Sequence, residues 1–161
     1  MEKLYAPWRM EFIKSEKTAG CIFCKDSMRC IDLVLFEGKS AFVMMNRYPY
    51  ISGHLLIAPF RHVSRLEDLL PEEKLEIFNL QDISVRVLKS AIHPDGFNIG
   101  MNLGKSAGAG IDDHIHVHVV PRWSGDTNFM SVLGDVRVIP EDIYKTCELL
   151  MPHFKKYFVE V

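Results

Sequence analysis

The 161 residues are 48% hydrophobic and 25% charged, with a net charge of −2, the profile of one soluble globular domain large enough for a real core. That balance gives no basic footprint for nucleic acid, and no apolar run reaches the ~20 residues needed to span a membrane. Met1 to Phe12 carry scattered charges rather than an apolar stretch, so no signal peptide is expected, and four cysteines in such a chain point to a reducing, cytoplasmic compartment.

In chain order, residues 1–20 read as an irregular extension ahead of a core over about residues 20–135. Ile31 to Phe36 reads as a strand, Glu37 to Ser40 as a turn, and Ala41 to Asn46 as the returning strand of a hairpin. Tyr48 to Gly53 is a loop and His54 to Pro59 a third strand. Pro71 suits a first helical position, with Glu72 and Glu73 at the positive end. Leu75, Phe78, Ile83, Val87 and Ala91 are spaced for one buried helix face, and His93-Pro94-Asp95-Gly96 stops the helix. Phe97 to Met101 is a fourth strand, and Gly104 to Gly110 a small-residue loop. Pro121 to Val138 reads as loop. Pro140 opens a C-terminal helix over 139–157, with Ile143, Cys147, Leu150 and Phe154 on one side. The order of elements predicts a single α+β domain over 1–161, a five-stranded antiparallel sheet with two helices.

The fifth strand holds the strongest signal, His114-Ile115-His116-Val117-His118-Val119-Val120. Alternation along a strand puts the three imidazoles on one face and the β-branched residues on the other. At a rise of ~3.3 Å per residue neighbouring rings are roughly 6.5–7 Å apart, able to line one groove without bonding to each other. A neutral imidazole is a competent nucleophile toward phosphorus. Near the start of the chain, Cys21-Ile22-Phe23-Cys24 supplies half of a zinc site, with a redox pair or two free thiols as the other readings. Cys30 and Cys147 read as packing residues.

The histidine run resembles the signature of the histidine triad superfamily. Asn46-Arg47-Tyr48-Pro49, Gly53-His54, Asn102-Leu103-Gly104, Ala107-Gly108-Ala109-Gly110 and Val120-Pro121-Arg122 extend the resemblance. Tyr5 to Met10 and Gly125 to Met130 are similar to the bacterial branch holding diadenosine tetraphosphate phosphorylases and hydrolases, alongside fragile histidine triad enzymes. The resemblance implies a catalytic set of His116, His118, His114 and His54. His116 would be the nucleophile, forming a nucleotidyl-histidine on the α-phosphorus while the His114 carbonyl holds its other ring proton. His118 and His54 would lie at the scissile phosphate. Asn46 would serve the nucleoside pocket and Asn102 a phosphate or the leaving group. Ser106, Gly108 and the N–H groups of Ala109, Gly110 and Ile111 are candidate donors to phosphate oxygens.

By the same resemblance, His62 and His114 complete a Cys₂His₂ zinc site with Cys21 and Cys24, a structural one. The implied function is cleavage of adenine dinucleoside polyphosphates by a homodimer. A nucleoside phosphoramidase, or a zinc-stabilised nucleotide-binding adaptor without turnover, is the alternative.

Overall fold

The computed structural model describes residues 21–24, 31–108, 111, 113–126 and 141–157. Five strands form one antiparallel sheet in the order β1-β2-β3-β5-β4. They are β1 (Val34–Glu37), β2 (Ala41–Met45), β3 (Leu55–Pro59), β4 (Gly96–Gly100) and β5 (Val117–Arg122), with helices α1 (Pro71–Ile92) and α2 (Ile143–Lys156). This is the expected α+β architecture. Cys30, the extension 1–20 and the whole stretch 127–140, Pro140 included, lie outside the described residues. No helix among the described residues is long and apolar enough to cross a membrane.

Strand register decides which face carries the chemistry. Phe36, Val43, Ile57 and Val117 are successive cross-strand partners, and Phe36 meets Phe154 of α2 at 6.3 Å between ring centroids. That face therefore looks toward the helices. One residue along, Met44, Leu56 and His118 are partners on the opposite face. Phe42 shares that face and lies against Phe23 and Phe60. Every residue of β2 and β3 is buried, because both faces of the central strands are covered.

Two expectations shift. The fifth strand starts at Val117 rather than His114, and Ile31 to Leu33 form a short 3-10 turn before β1. β3 ends in Pro59, which has no N–H to continue the ladder. His114 to His116 instead run past the β3–α1 connection, where the Ile115 N–H donates to the Val63 carbonyl at 2.6 Å.

The buried face of α1 also differs from the one read from spacing. Ile77, Leu80, Ser84, Val87 and Leu88 point inward, while Leu75 and Phe78 are 64% and 70% exposed. The helix is apolar on more than one side, and contact with β2 and β3 selects the Ile77–Leu80–Leu88 side. In α2 the expected residues Cys147, Leu150 and Phe154 are buried, and Asp142 caps the helix by accepting from the Tyr144 and Lys145 N–H groups. Leu80→Ala should cost about 2–5 kcal/mol in denaturant unfolding, whereas Phe78→Glu should stay within about 0.5 kcal/mol. Equal losses for the two would contradict this orientation of α1.

Candidate active site and metal cluster

His114, His116 and His118 keep to one side, but their rings draw together. His116 and His118 meet edge to face at 4.9 Å between centroids, closer than strand spacing alone implies, because the rings lean toward each other. Phe23, from the segment between the two cysteines, lies 5.3 Å from the His114 ring and 5.0 Å from the His116 ring.

Buried imidazoles must satisfy their nitrogens, and their partners set the tautomers. His116 Nδ1 is 2.9 Å from the His114 carbonyl, which can only accept, so Nδ1 carries the proton and Nε2 keeps a lone pair. Burial lowers the His116 pKa and holds the ring neutral against the opposing effect of that carbonyl. His54 is fully buried. Its Nδ1 accepts from the Tyr50 N–H at 3.1 Å, so its proton sits on Nε2, which donates to His118 Nδ1 at 2.9 Å. The His118 proton is therefore on Nε2. That atom is buried and has no partner among the described residues. A bare His116 Nε2 and an unsatisfied His118 N–H thus sit on neighbouring rings.

The turn that delivers His54 is tightly set. Gly53 has φ +77°, and a Cβ there would lie 2.7 Å from Ile92 Cδ1. The His54 N–H donates to the Ile51 carbonyl at 3.2 Å. Asn46 accepts from the Tyr48 N–H at 3.0 Å, and its amide nitrogen lies 3.2 and 3.5 Å from the two His54 ring nitrogens, over the ring. Opposite His118 on β4 is Gly100, where a Cβ would meet nothing within 4 Å, so that flank is open.

Of the expected phosphate donors, Asn102 is half-buried, while Ser106 and Gly108 are exposed around a 3-10 turn at Lys105–Ala107. Ile111 packs against the core, and Ala109 and Gly110 lie outside the described residues.

On the other side of Phe23, Cys21, Cys24, His62 and His114 place one donor atom each within 4.8 Å of one another. Sγ–Nδ1 distances are 3.3 Å for Cys21–His114, 3.3 Å for Cys24–His62 and 3.9 Å for Cys24–His114. Metal–sulfur and metal–nitrogen bonds of about 2.3 and 2.0 Å at tetrahedral angles put such atoms about 3.5 Å apart. The donors therefore fit a metal ion. His114 is prepared for it, since Nε2–H donates to the Pro59 carbonyl at 2.9 Å and leaves Nδ1 facing the sulfurs. Burial pushes its pKa down to about 4, keeping the ring neutral. His62 is carried by the segment that Arg61 anchors through paired bonds of 2.9 and 2.7 Å to buried Glu73.

Sequence reasoning missed Tyr50 and Phe23. An aromatic residue inside the Cys-x-x-Cys was the available signal for Phe23; Tyr50 acts partly through its main chain, which leaves no side-chain signature.

A family model described as the HIT domain matches residues 30–125. The chain belongs to the HIT family. An AP-4-A phosphorylase from Mycobacterium tuberculosis is 47% identical to this HIT chain over 118 residues, covering 73% of this chain and 60% of that protein. The chain thus spans about 60% of the length of that curated relative. A bis(5'-adenosyl)-triphosphatase from Dictyostelium discoideum is 33% identical over 94 residues, covering 58% of this chain and 62% of the relative. A zinc-bound histidine triad family protein from Mycobacterium smegmatis superposes with a TM-score of 0.65 at 28% identity, covering 80% of this chain and 88% of that one.

His54 and His118 have pKa values pushed down to about 3 and about 4, in each case first by burial. The unfolded chain binds these protons near pH 6.5, before the folded chain does. Their contribution to stability is full above about pH 6.5 and declines as pH falls toward the folded values. Thermal unfolding followed from about pH 7 to pH 5 should show a falling Tm before carboxylates titrate. A constant Tm over that window would mean these rings are not held neutral by the fold.

Proposed function

We propose that this protein cleaves adenine dinucleoside polyphosphates through a nucleotidyl-histidine on His116. The observation that carries the reading is the pairing of tautomers, a bare Nε2 on His116 beside an unpartnered N–H on His118. The His116 Nε2 lone pair attacks the α-phosphorus, and the P–O bond to the departing phosphate chain breaks. The His118 Nε2–H hydrogen-bonds the oxygen on which charge develops. The Nδ1–H bond to the His114 carbonyl steadies the positive charge gained by His116. Phosphate or water then attacks the phosphorus and releases His116. The named relatives support this reading, and the one with 47% identity favours phosphate as the second acceptor. Asn46 and Asn102 with the Gly104–Gly110 loop would take the nucleoside and phosphates.

Zinc is the metal this reading assigns to Cys21, Cys24, His62 and His114. Two thiols and two imidazoles suit a closed structural site, and a zinc-bound relative supports it. The same reading places the protein in the cytoplasm, where cysteines stay reduced and able to hold a metal. A homodimer belongs to the same reading, supported by β4, an edge strand whose Ile99 is 44% exposed.

Incubation with diadenosine tetraphosphate should yield ADP and ATP in the presence of inorganic phosphate. AMP and ATP regardless of phosphate would instead identify water as the acceptor, and no turnover would favour the phosphoramidase or adaptor reading. His116→Ala should lower kcat by more than about a thousandfold while nucleotide still binds, as followed by calorimetry. Near-parental turnover in that variant rules out His116 as the nucleophile. Cys21→Ser combined with Cys24→Ser should remove bound zinc and lower Tm by several degrees. Unchanged metal content by elemental analysis would exclude the cysteines as ligands.

A further inference from the structure

Two neutral imidazoles joined by one hydrogen bond have two arrangements, with the shared proton on either ring. Only one of them leaves an N–H, rather than a lone pair, on the outer nitrogen of His118. The atom that decides between them is whatever meets the far nitrogen of His54. Here it is the main-chain N–H of Tyr50, 3.1 Å from His54 Nδ1, with the Asn46 amide nitrogen, another donor, beside it at 3.2 Å. Moving the His54 proton to Nδ1 would set two N–H groups against each other.

The Tyr50 side chain acts on the same pair. Its ring centroid is 4.6 Å from His54 and 5.9 Å from His118, nearly parallel to the latter at 15°. The residue is 45% exposed, so it forms the outer wall of the pair. Its main chain is fixed by the turn around it. The Asn46 N–H donates to the His54 carbonyl at 2.9 Å, the His54 N–H returns to Ile51, and Gly53 makes the left-handed turn.

We propose that Tyr50 is a positioning residue for leaving-group departure. Its N–H sets the tautomers of the His54–His118 pair and its ring holds their planes, so that the His118 Nε2–H faces the departing phosphate oxygen. The inference rests on the cleavage reading given above. No proton leaves His118 in the step. The electron pair of the breaking P–O bond moves onto the departing oxygen, the new bond forms from the His116 Nε2 lone pair, and His118 contributes a hydrogen bond.

A hydrogen bond to a departing oxygen matters most when that oxygen is a poor leaving group, which separates this role from general support of the fold. The test uses the full chain and a series of aryl esters of AMP, from p-nitrophenyl to unsubstituted phenyl. In Tyr50→Ala, kcat should fall by about tenfold for the phenyl ester and about twofold for the p-nitrophenyl ester, with KM little changed. Tyr50→Phe, which keeps the ring and the N–H, should restore the parental leaving-group dependence. Nitrogen-15 NMR of the imidazoles gives a readout that needs no turnover. The parent and Tyr50→Ala, which keeps the N–H, should both show His118 protonated on Nε2 alone, and Tyr50→Pro, which removes the N–H, a mixture of tautomers. An equal rate loss across the esters in Tyr50→Ala would overturn the proposal, as would an unchanged His118 tautomer in Tyr50→Pro or a parent His118 protonated on Nδ1. If the parent cleaves no ester or dinucleotide, the cleavage reading fails, and the spectra alone decide the role of Tyr50.

Discussion

A neutral imidazole removed from water carries one donor and one acceptor, and each must be met nearby. Three such rings, on His54, His114 and His116, are buried here, and the inner nitrogen of a fourth, His118, is turned toward them. The surrounding chain is organised around satisfying them. Pro59 and His114 offer carbonyls, Tyr50 offers an N–H, and His54 passes its own donor to His118. Once these partners are fixed, little freedom remains. One nitrogen on His116 is a lone pair, one nitrogen on His118 is a donor, and one on His114 looks at the sulfurs.

The sheet makes this economical. Because the helix-facing residues of β2, β3 and β5 fill the core, the opposite face of the same strands can carry polar rings without opening that core. Phe23 then covers the rings from outside, so their low-dielectric surroundings come from a short segment next to Cys21 and Cys24. Gly100 lies opposite His118 on an open flank, where even a Cβ would meet nothing within 4 Å.

Much of this was readable in advance because it is written in side-chain chemistry. Alternating histidines announce an imidazole-lined strand face, and a Cys-x-x-Cys announces half of a metal cluster. The five strands and two helices followed from apolar runs and turn residues. What could not be read depends on relations between distant segments. The start of β5 is set by a proline in β3, which the histidine run itself does not encode. The inward face of α1 is chosen among several apolar stripes by the sheet beneath it; Phe78 and Leu80 look equivalent until β2 and β3 select Leu80. The influence of Tyr50 runs through a peptide N–H that every residue except proline possesses.

His114 illustrates how separate tasks can share a residue without being chemically joined. Its ring belongs to the sulfur cluster, while its main-chain carbonyl holds the His116 proton. The side chain can be exchanged by mutation; the carbonyl comes with any amino acid placed there. A descendant of this chain could therefore lose the Cys/His cluster and keep His116 in the same tautomer. Cluster and triad are in that sense independently heritable, although they meet on one residue.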